Sequence, residues 1–258
     1  NKVNNLKVVI SMGWFSNSKQ SKSSNDLIIN ALHKSLAIIE FEPNGRIITA
    51  NVNFLRVMDY SLAEVQGQHH SLFVSPSEAK SDEYHQFWQR LSAGEFISDE
   101  FKRFGKNGKE VWIQATYNPV IDSQGQVIKV IKFATEITLQ KLKAAEAAGQ
   151  VAAIHKSQAV IEFDLDGTVI NANKNFLATF GYQLDEIQGK HHRLFVAPEY
   201  ANSADYQTFW AKLGRGEYDR GEYLRFDKQG REIWINASYN PIYDMDGKLI
   251  KIIKYATD

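Results

Sequence analysis

The apolar positions in the first half of the chain change their spacing along the sequence. Ala37 to Phe41 and Ile47 to Ala50 are short apolar runs around the turn Glu42-Pro43-Asn44-Gly45, which predicts a β-hairpin. Ser77 to Leu91 has spacings of three and four residues, the period of a helix with one buried face. The apolar residues of that face are Tyr84, Phe87, Trp88 and Leu91.

Short helices precede this predicted helix, and three longer strands follow it. The short helices are Asn53 to Met58 and Leu62 to Val65, and the strands are Phe96 to Phe104, Glu110 to Val120 and Val127 to Ala134. Turns that contain glycine separate the strands. Because strands and helices come in separate runs, the order β-β-α-α-α-β-β-β predicts an α+β domain with a five-stranded antiparallel sheet and helices on one face.

The second half of the chain repeats the first. A shift of 122 residues aligns His33 to Glu136 with His155 to Asp258 without a gap, and roughly half of the paired positions are identical. Solenoid repeats have periods of about 20 to 50 residues, so this period indicates a duplicated domain. Each half is therefore expected to form its own sheet, and positions that differ between the copies become informative.

A helix is predicted before each copy. Ser24 is a good N-cap for a helix over Asn25 to Leu32. Lys141 to Ile154 is rich in Lys, Ala, Glu and Gln and has no proline, which predicts one continuous helix, weakened only at Gly149, where glycine costs about 1 kcal/mol relative to alanine. The predicted organisation is an N-terminal extension over 1–23, a first domain with its helix over 24–137, a linker helix over 138–154 and a second domain over 155–258.

Composition narrows the classes of partner and location. The 30 basic residues equal the 30 acidic ones, so no net field attracts nucleic acid or an anionic membrane. The absence of cysteine excludes disulfides, zinc–thiolate sites and thiol catalysis, and is typical of a reducing compartment. Val8 to Ile10 is the longest apolar run near the start, far short of a membrane span. We expect a cytoplasmic protein without membrane insertion.

The first residues need separate treatment. Met12-Gly13-Trp14 looks like a natural start, so Asn1 to Ser11 are expected to be added sequence. We leave them out of the fold prediction.

Several motifs, taken in order in the two copies, resemble PAS domains. They are the turn-strand-helix pattern at Gly45 to Leu55 and Gly167 to Leu177, the turn Gly181-Tyr182, and the Lys-x-Gly-x-x-x-Trp hairpin at Lys106 to Trp112 and Lys228 to Trp234. More narrowly, Glu136 to Lys143 and Gly189 to Val196 resemble the tandem PAS region of soluble bacterial methyl-accepting chemotaxis proteins of the biofilm-dispersion or aerotaxis-like type. The resemblance extends from Asp26 to Asp258.

This resemblance implies a sensory input module that forms a homodimer through its N-terminal or linker helices. A coiled-coil signalling domain is expected to follow Asp258, so the chain is expected to be a truncated one. Histidine kinases and diguanylate cyclases are alternative outputs behind PAS pairs, and the sequence does not separate them.

Asparagine and glutamate each recur at a matched pair of positions. Asn51 and Asn173 lie where a strand turns into a helix, so we interpret both as N-caps. Glu40 and Glu162 lie in strands and are interpreted as solvated carboxylates without a catalytic partner.

Histidine pairs are the most conspicuous polar feature of both copies. They are His69-His70 and His191-His192. Neighbouring residues point in different directions, so a pair cannot chelate a metal, and one ring is expected to face inward while the other is solvated. Each pair is interpreted first as hydrogen-bonded loop residues, with haem ligation or a polar contact to a pocket as the alternatives. His85 has Gln207 at its equivalent position, and haem PAS domains commonly draw their axial histidine from this region. Because His85 lies beside the buried helix face and not on it, a solvated helix histidine is the preferred interpretation, and haem ligation is the alternative.

The recurrent tryptophans extend the list of cofactor-site candidates. Trp112 and Trp234 fit core or interface packing better than stacking on a flavin. Phe96 and Tyr218 follow the Gly-Glu pairs where aerotaxis-type flavin domains carry Trp, which weakens the flavin hypothesis. Haem and FAD are both candidates, FAD the weaker one, and a protein without a cofactor also fits the sequence. No metal site is predicted.

The predicted function is a sensor that is not an enzyme. Each domain is expected to enclose a small apolar pocket between sheet and helices, whose occupancy biases the linker helix and the output. The alternative is a protein-interaction and dimerisation module without a small ligand. No phosphate-binding loop or catalytic triad is found in the sequence.

Overall fold

A computed structural model describes residues 18–257 of the chain, with the side chains of residues 24–257. The expectation that Asn1 to Ser11 are added sequence lies outside the described residues. The chain divides into two compact units, with the division between Lys143 and Ala144. Each unit is described separately below.

The first unit has the element order that the sequence predicts. Its elements are α1 (Ser18–Ser35), β1 (Ala37–Phe41), β2 (Ile47–Ala50), α2 (Val52–Met58), α3 (Leu62–Val65), two 3₁₀ turns (His70–Phe73 and Glu78–Lys80), α4 (Asp82–Ser92), β3 (Ile97–Phe104), a third 3₁₀ turn (Lys106–Gly108), β4 (Glu110–Ile121) and β5 (Val127–Glu136). All neighbouring strands are antiparallel, in the order β2-β1-β5-β4-β3.

The second unit repeats this architecture. Its elements are β6 (Ala159–Phe163), β7 (Val169–Ala172), α6 (Lys174–Phe180), α7 (Leu184–Ile187), a 3₁₀ turn (His192–Phe195), α8 (Pro198–Ala201), α9 (Ala204–Gly214), β8 (Asp219–Phe226), β9 (Glu232–Tyr243) and β10 (Leu249–Thr257). Its strand order is β7-β6-β10-β9-β8. The predicted α+β class, with a separate five-stranded antiparallel sheet in each copy, is confirmed.

The core lies between the sheet and the helices on one of its faces. Along β4 the side chains alternate, so Val111, Ile113, Ala115 and Tyr117 are buried while the residues between them are more exposed. The predicted face of α4 packs against them, with Trp88 and Leu91 buried.

Two predicted helices differ from the observed ones. The helix α1 begins at Ser18, so Ser24 lies inside it and is not its N-cap. The stretch Ser77 to Leu91 is not one helix, because the Ser81 hydroxyl accepts a hydrogen bond from the Tyr84 amide and starts α4 there. Ser203 starts α9 in the same way.

A single helix, α5 (Thr138–Ser157), includes the whole segment predicted to be helical between the copies. Gly149 lies inside it without a break, and none of its described side chains is buried. The domain boundaries proposed from the sequence remain a prediction.

Candidate functional site

A buried histidine lies at the centre of the first core. His70 is fully buried, and its Nδ1 lies 2.8 Å from the Tyr84 hydroxyl while its Nε2 lies 3.0 Å from the Tyr117 hydroxyl. Its ring also meets Phe41 and Trp88 edge-on, with ring centres 5.4 Å apart in both cases. The centre of this core is therefore filled by aromatic side chains that carry polar groups.

The second core repeats this network around His192. Nδ1 of His192 lies 2.9 Å from the Tyr206 hydroxyl and Nε2 lies 3.0 Å from the Tyr239 hydroxyl. Arg225 donates from Nη2 to the same Tyr239 oxygen at 2.9 Å. Because an arginine can only donate, the Tyr239 oxygen accepts from Arg225, and the Tyr239 O–H is left to donate a hydrogen bond to Nε2 of His192. In that arrangement the neutral histidine carries its proton on Nδ1 and donates a hydrogen bond to the Tyr206 oxygen.

The first core has the corresponding positive groups around its histidine. Arg103 occupies the position of Arg225, is buried, and lies close enough to Tyr117 to oppose the rise that burial causes in that phenol's pKa. Burial lowers the pKa of His70 well below its usual range, and the positive charges of Lys132 and Arg103 lower it further. His70 is therefore neutral, and each of its ring nitrogens faces one tyrosine hydroxyl, Nδ1 that of Tyr84 and Nε2 that of Tyr117.

A lysine without a nearby carboxylate lies beside each network. Lys132 is 1% exposed, and its Nζ lies 4.7 Å from the centre of the Tyr117 ring. Lys254 is equally buried, with its Nζ 5.2 Å from the Tyr239 ring centre. Burial, followed by the charge of the nearby arginine, lowers the pKa of both lysines well below the usual range. The sequence analysis missed both, although each lies at a core-facing position of its strand.

The first histidine of each pair has a different role from the second. His69 is exposed, its Nε2 donates to the Asn44 carbonyl at 2.9 Å, and its Nδ1 accepts from the Ser71 amide at 3.1 Å. Gly45, with φ of 88°, passes so close that a β-carbon there would lie 2.6 Å from Nε2 of His69. The ring thus holds the β1–β2 turn against the chain that leads into the core.

The first copy has an open cleft beside this turn. Its volume is about 550 Å³, and it lies between the β1–β2 turn, the chain around Ser71 and one side of α4. The residues that line it are Pro43, Asn44, His69, Ser71, Ala79, Tyr84, His85, Trp88, Gln89 and Ser92. The exposed ring of His85 is held by a 2.7 Å hydrogen bond between its Nδ1 and the Ser81 carbonyl.

The structure does not place Trp112 or Trp234 near these groups. Both belong to the alternate positions of β4 and β9, on the sheet face opposite the core. Trp234 is 61% exposed, whereas Trp112 is partly covered by Lys141, whose Nζ lies 5.2 Å from its ring centre. The seven residues predicted as cofactor ligands or contacts thus lie in different places. His70 and His192 lie in the buried networks, His69 and His191 beside the β-turns, His85 on the cleft wall, and Trp112 and Trp234 on the outer sheet faces.

Comparison with known families identifies the fold. The family described as the PAS fold matches residues 47–134 and 169–256, which is more than half of the chain. The chain belongs to the PAS family. Each match covers most of one five-stranded unit, so the predicted tandem of PAS domains is confirmed.

Three curated proteins are similar to the chain, and two of them are a sensor and a receptor by name. The chain is 43% identical over 228 residues to the biofilm dispersion protein BdlA of Pseudomonas aeruginosa, a match that covers 88% of this chain and 55% of BdlA. It is 27% identical to the oxygen sensor protein DosP of Escherichia coli, covering 64% of this chain and 20% of DosP. It is 31% identical to the aerotaxis receptor of Escherichia coli, covering 38% of this chain and 19% of the receptor. The chain thus spans about half or less of these relatives.

Residues 18–257 contain neither a candidate membrane-spanning helix nor a candidate metal-binding cluster. No helix there is long and apolar enough to cross a membrane. No cluster of three or more His, Asp or Glu side chains in that part of the chain could hold a metal ion.

Asparagines join each PAS domain to the helix that precedes it. Asn51 accepts hydrogen bonds from the Phe54 and Ile38 amides at 2.9 Å and donates to the Leu36 carbonyl at 2.8 Å. Asn53, which the sequence analysis did not single out, donates to the same carbonyl and to that of His33. These residues therefore do more than cap α2, since they also hold the end of α1.

Glu40 and Glu162 are not fully solvated carboxylates. Each is partly buried and forms an ion pair with a lysine on the neighbouring strand, Lys129 at 2.8 Å and Lys251 at 2.5 Å. These pairs join the first strand of each copy to its last strand and support the strand register.

We expect Asn173→Ala to lower the free energy of unfolding of the second domain by about 2–3 kcal/mol. The change removes a helix cap, worth about 1 kcal/mol, and leaves the Val160 amide without its 2.9 Å acceptor. Asn202→Ala, at an exposed helix end, is the control and is expected to cost under about 1 kcal/mol. Urea denaturation of the whole chain measures both, and equal losses would contradict this role of Asn173.

Proposed function

We propose that the chain is the cytoplasmic, non-catalytic input region of a chemotaxis-type transducer, which passes the state of its PAS domains through α5 to a signalling domain. The family membership and the sensory relatives support the input role. The observation that carries the relay is that α5 is joined by hydrogen bonds to a PAS domain at each of its ends.

The start of α5 is held by the outer face of the first sheet. The Ile137 amide donates to the Trp112 carbonyl at 2.8 Å, and the Trp112 amide donates to the Thr138 hydroxyl at 3.0 Å. Lys141 forms an ion pair with Glu100 of β3 and covers the Trp112 ring. A change in the twist of β3 and β4 would therefore move the first turn of the helix.

The end of α5 is held by the second domain. Asn173 donates from Nδ2 to the carbonyls of His155 at 3.0 Å and Gln158 at 2.8 Å. Asn175 donates to the His155 carbonyl as well, at 3.2 Å. These bonds use carbonyls that a helix end leaves without partners, so the last turn of α5 is tied to β6 and α6. A helix held at both ends transmits rotation, which a flexible linker does not.

The polar groups of the cores support a sensor without catalysis. Burial keeps His70 and His192 neutral, and it raises the pKa of both Tyr117 and Tyr239. Groups whose pKa values lie this far from neutrality exchange protons poorly in an acid–base mechanism, which works best when the pKa is near the operating pH.

Apolar side chains on α1 support the proposed homodimer. Leu27, Ile28, Ile29 and Leu32 are exposed, from 37% to 69%, and their spacing places Ile28 and Leu32 on one side of the helix. We propose that this side pairs with a second copy of the chain. Analytical ultracentrifugation of the chain and of Ile28→Lys tests it, with a lower dimer fraction expected for the variant.

The relay predicts that signalling depends on the helical phase of α5. One alanine inserted after Ala147 changes the phase between the two ends by about 100°, whereas seven inserted residues restore it to within about 20°. In the full-length protein we expect the first insertion to abolish the response and the second to retain it. An unchanged response with one inserted residue would exclude α5 as the relay.

A protein-interaction module without a ligand is the second candidate. The filled centre of each core, with His70 and Tyr117 fully buried, favours it over a sensor with an internal cofactor. A visible absorption spectrum of the purified chain separates the two, because bound haem or flavin absorbs there and an interaction module does not.

A further inference from the structure

One tryptophan and one glutamate on the outer face of the first sheet hold the start of α5. The Trp112 amide donates to the Thr138 hydroxyl at 3.0 Å, and the Trp112 carbonyl accepts from the Ile137 amide at 2.8 Å. Lys141 pairs with Glu100 and places its Nζ 5.2 Å from the centre of the Trp112 ring. Two residues on neighbouring strands thus bind a hydroxyl residue and, three residues later, a lysine.

The second sheet has the same two residues at matching positions. Trp234 and Glu222 lie 122 residues after Trp112 and Glu100, which is the period of the repeat. The strand register agrees as well, because each tryptophan lies opposite the residue that follows the glutamate by two positions. The residues that bind the start of α5 in the first domain therefore recur, in the same arrangement, on the outer face of the second sheet.

The second pair is open to solvent. Trp234 is 61% exposed, whereas Trp112 is partly covered. Glu222 is exposed too, and none of the ion pairs that the second domain forms among residues 24–257 includes it. The last described pair of β9 and β10 joins Asn236 to Thr257, so the Trp234 backbone lies beyond that ladder. Both side chains are therefore available to a partner.

One difference between the copies makes the second face more apolar. Lys102, which pairs with Glu110 in the first domain, is replaced by Leu224 directly across from Trp234. Glu222 lies two residues before Leu224 and therefore on the same face of the strand. The surface thus combines an apolar patch with a negative charge. A lysine or arginine side chain matches both, because its stem covers apolar surface while its charged end reaches the carboxylate.

The buried network of the second domain reaches the same strands from the inner side. Arg225 donates from Nη2 to the Tyr239 hydroxyl at 2.9 Å and from Nη1 to the Leu224 carbonyl at 2.8 Å. Nε2 of His192 lies 3.0 Å from the same hydroxyl. The residue opposite Trp234 is thus joined by hydrogen bonds to the partner of the core histidine. A helix bound to the outer face would lie directly against the strands that carry this network.

We propose that Trp234 and Glu222 bind the first turn of the helix that leads from β10 to the signalling domain, through a Thr or Ser and, three residues later, a Lys or Arg. The hydroxyl accepts from the Trp234 amide, and the basic side chain covers the indole ring and pairs with Glu222. The spacing of the two partner residues is that of Thr138 and Lys141. The inference rests on the relay proposed above and deepens it, since it names the surface by which the second domain holds the output helix.

The whole chain, extended after Asp258 by a copy of residues 137–150, tests the site. Asp258 is the equivalent of Glu136, so the appended segment enters in the register that α5 has in the first domain. NMR follows the Trp234 indole N–H signal, assigned with Trp234→Phe, and its broadening by a soluble gadolinium chelate. We expect the extension to shift this signal and to reduce its broadening, because the docked lysine covers the ring as Lys141 covers Trp112. An unchanged Trp234 signal would overturn the proposal.

A charge swap in the extended chain identifies the contact. Lys141→Glu within the appended copy is expected to lower the ratio of docked to free helix about 5-fold, because it removes a cation–π contact and an exposed ion pair. Glu222→Lys added to that chain is expected to recover docking through the reversed pair. Glu199→Lys, at an exposed position of α8, is the control and is expected to leave docking as it was. Equal docking of the Lys and Glu versions, or no recovery with Glu222→Lys, would contradict the assigned pair.

A second copy of the chain is the alternative occupant of this face. Analytical ultracentrifugation of the natural chain and of Trp234→Ala distinguishes it, and we expect equal dimer fractions. A lower dimer fraction for the variant would assign the face to self-association and overturn the proposal.

The docking site and the relay can fail separately. If the extension leaves Trp234 exposed while one residue inserted in α5 still abolishes signalling, the docking site is wrong and the relay stands. If the extension covers Trp234 while the insertion is tolerated, the docking site stands and the relay is wrong.

Discussion

His70→Ala is expected to lower the free energy of unfolding of the first PAS domain by about 3–5 kcal/mol. The change leaves a cavity between Phe41, Trp88 and Tyr117 where the ring now makes contact on several sides. It also removes the hydrogen-bond partner of two tyrosine hydroxyls, each of which costs about 1–3 kcal/mol when left buried and unpaired. Relaxation around the cavity keeps the total below the sum of these costs.

His69→Ala is the matched control in the same dipeptide. Its ring is exposed and holds a turn and a short 3₁₀ segment, so we expect a loss of about 1 kcal/mol. Urea denaturation of the whole chain, followed by tryptophan fluorescence, measures both variants. His192→Ala and His191→Ala repeat the test in the second domain. Equal losses at the two positions of a pair would contradict the buried network.

The buried histidines also set the acid sensitivity of the fold. Their pKa values are lowered in the folded chain, so below about pH 6.5 the unfolded chain binds protons that the folded chain does not. Stability is therefore lost as the pH falls below that value, by up to about 1.4 kcal/mol per pH unit for each histidine. The His70→Ala variant is expected to lose the contribution of one histidine to this slope.

The sequence predicts the sheets because their periodicity is strong and occurs twice. The inward and outward directions of His69 and His70 follow from their adjacency alone, whereas the partners of His70 do not. Tyr117 lies 47 residues away, and only the packing of β4 against the chain before α4 brings its hydroxyl to the ring. The polar character of the core centre is thus a tertiary property, which the pattern of the sequence alone does not show.

A serine of the kind that favours an N-cap did not by itself identify where a helix begins. Ser24 and Ser81 are both good N-caps, but only Ser81 is one, because residues ahead of Ser24 continue the helix while the chain before Ser81 turns in a 3₁₀ segment. Lys132 could have been found, since Val130, Lys132 and Ala134 share the inner face of β5 and the second copy has Lys254 in register. A lysine in such a pattern is usually assigned to solvent.

Lys132→Met is expected to raise the free energy of unfolding of the first domain by about 1–4 kcal/mol at pH 7. The lysine loses its hydration when the chain folds, and its neighbours are aromatic rings and the positive Arg103 instead of a carboxylate. A methionine of similar volume avoids the cost of burying an amine that has no opposite charge beside it. Lys129→Met, on the same strand but paired with Glu40, is the control and is expected to cost up to about 1 kcal/mol.

The pH dependence separates this cause from better packing. Because the folded pKa of Lys132 is lowered, the unfolded chain binds one more proton than the folded chain between that value and about pH 10.5. As the pH rises through that range, this lysine therefore raises the free energy of unfolding of the natural chain by up to about 1.4 kcal/mol per pH unit. The variant lacks this contribution, so its advantage is expected to shrink between pH 7 and pH 9. A constant advantage across that range would show that packing, and not the buried amine, is the cause.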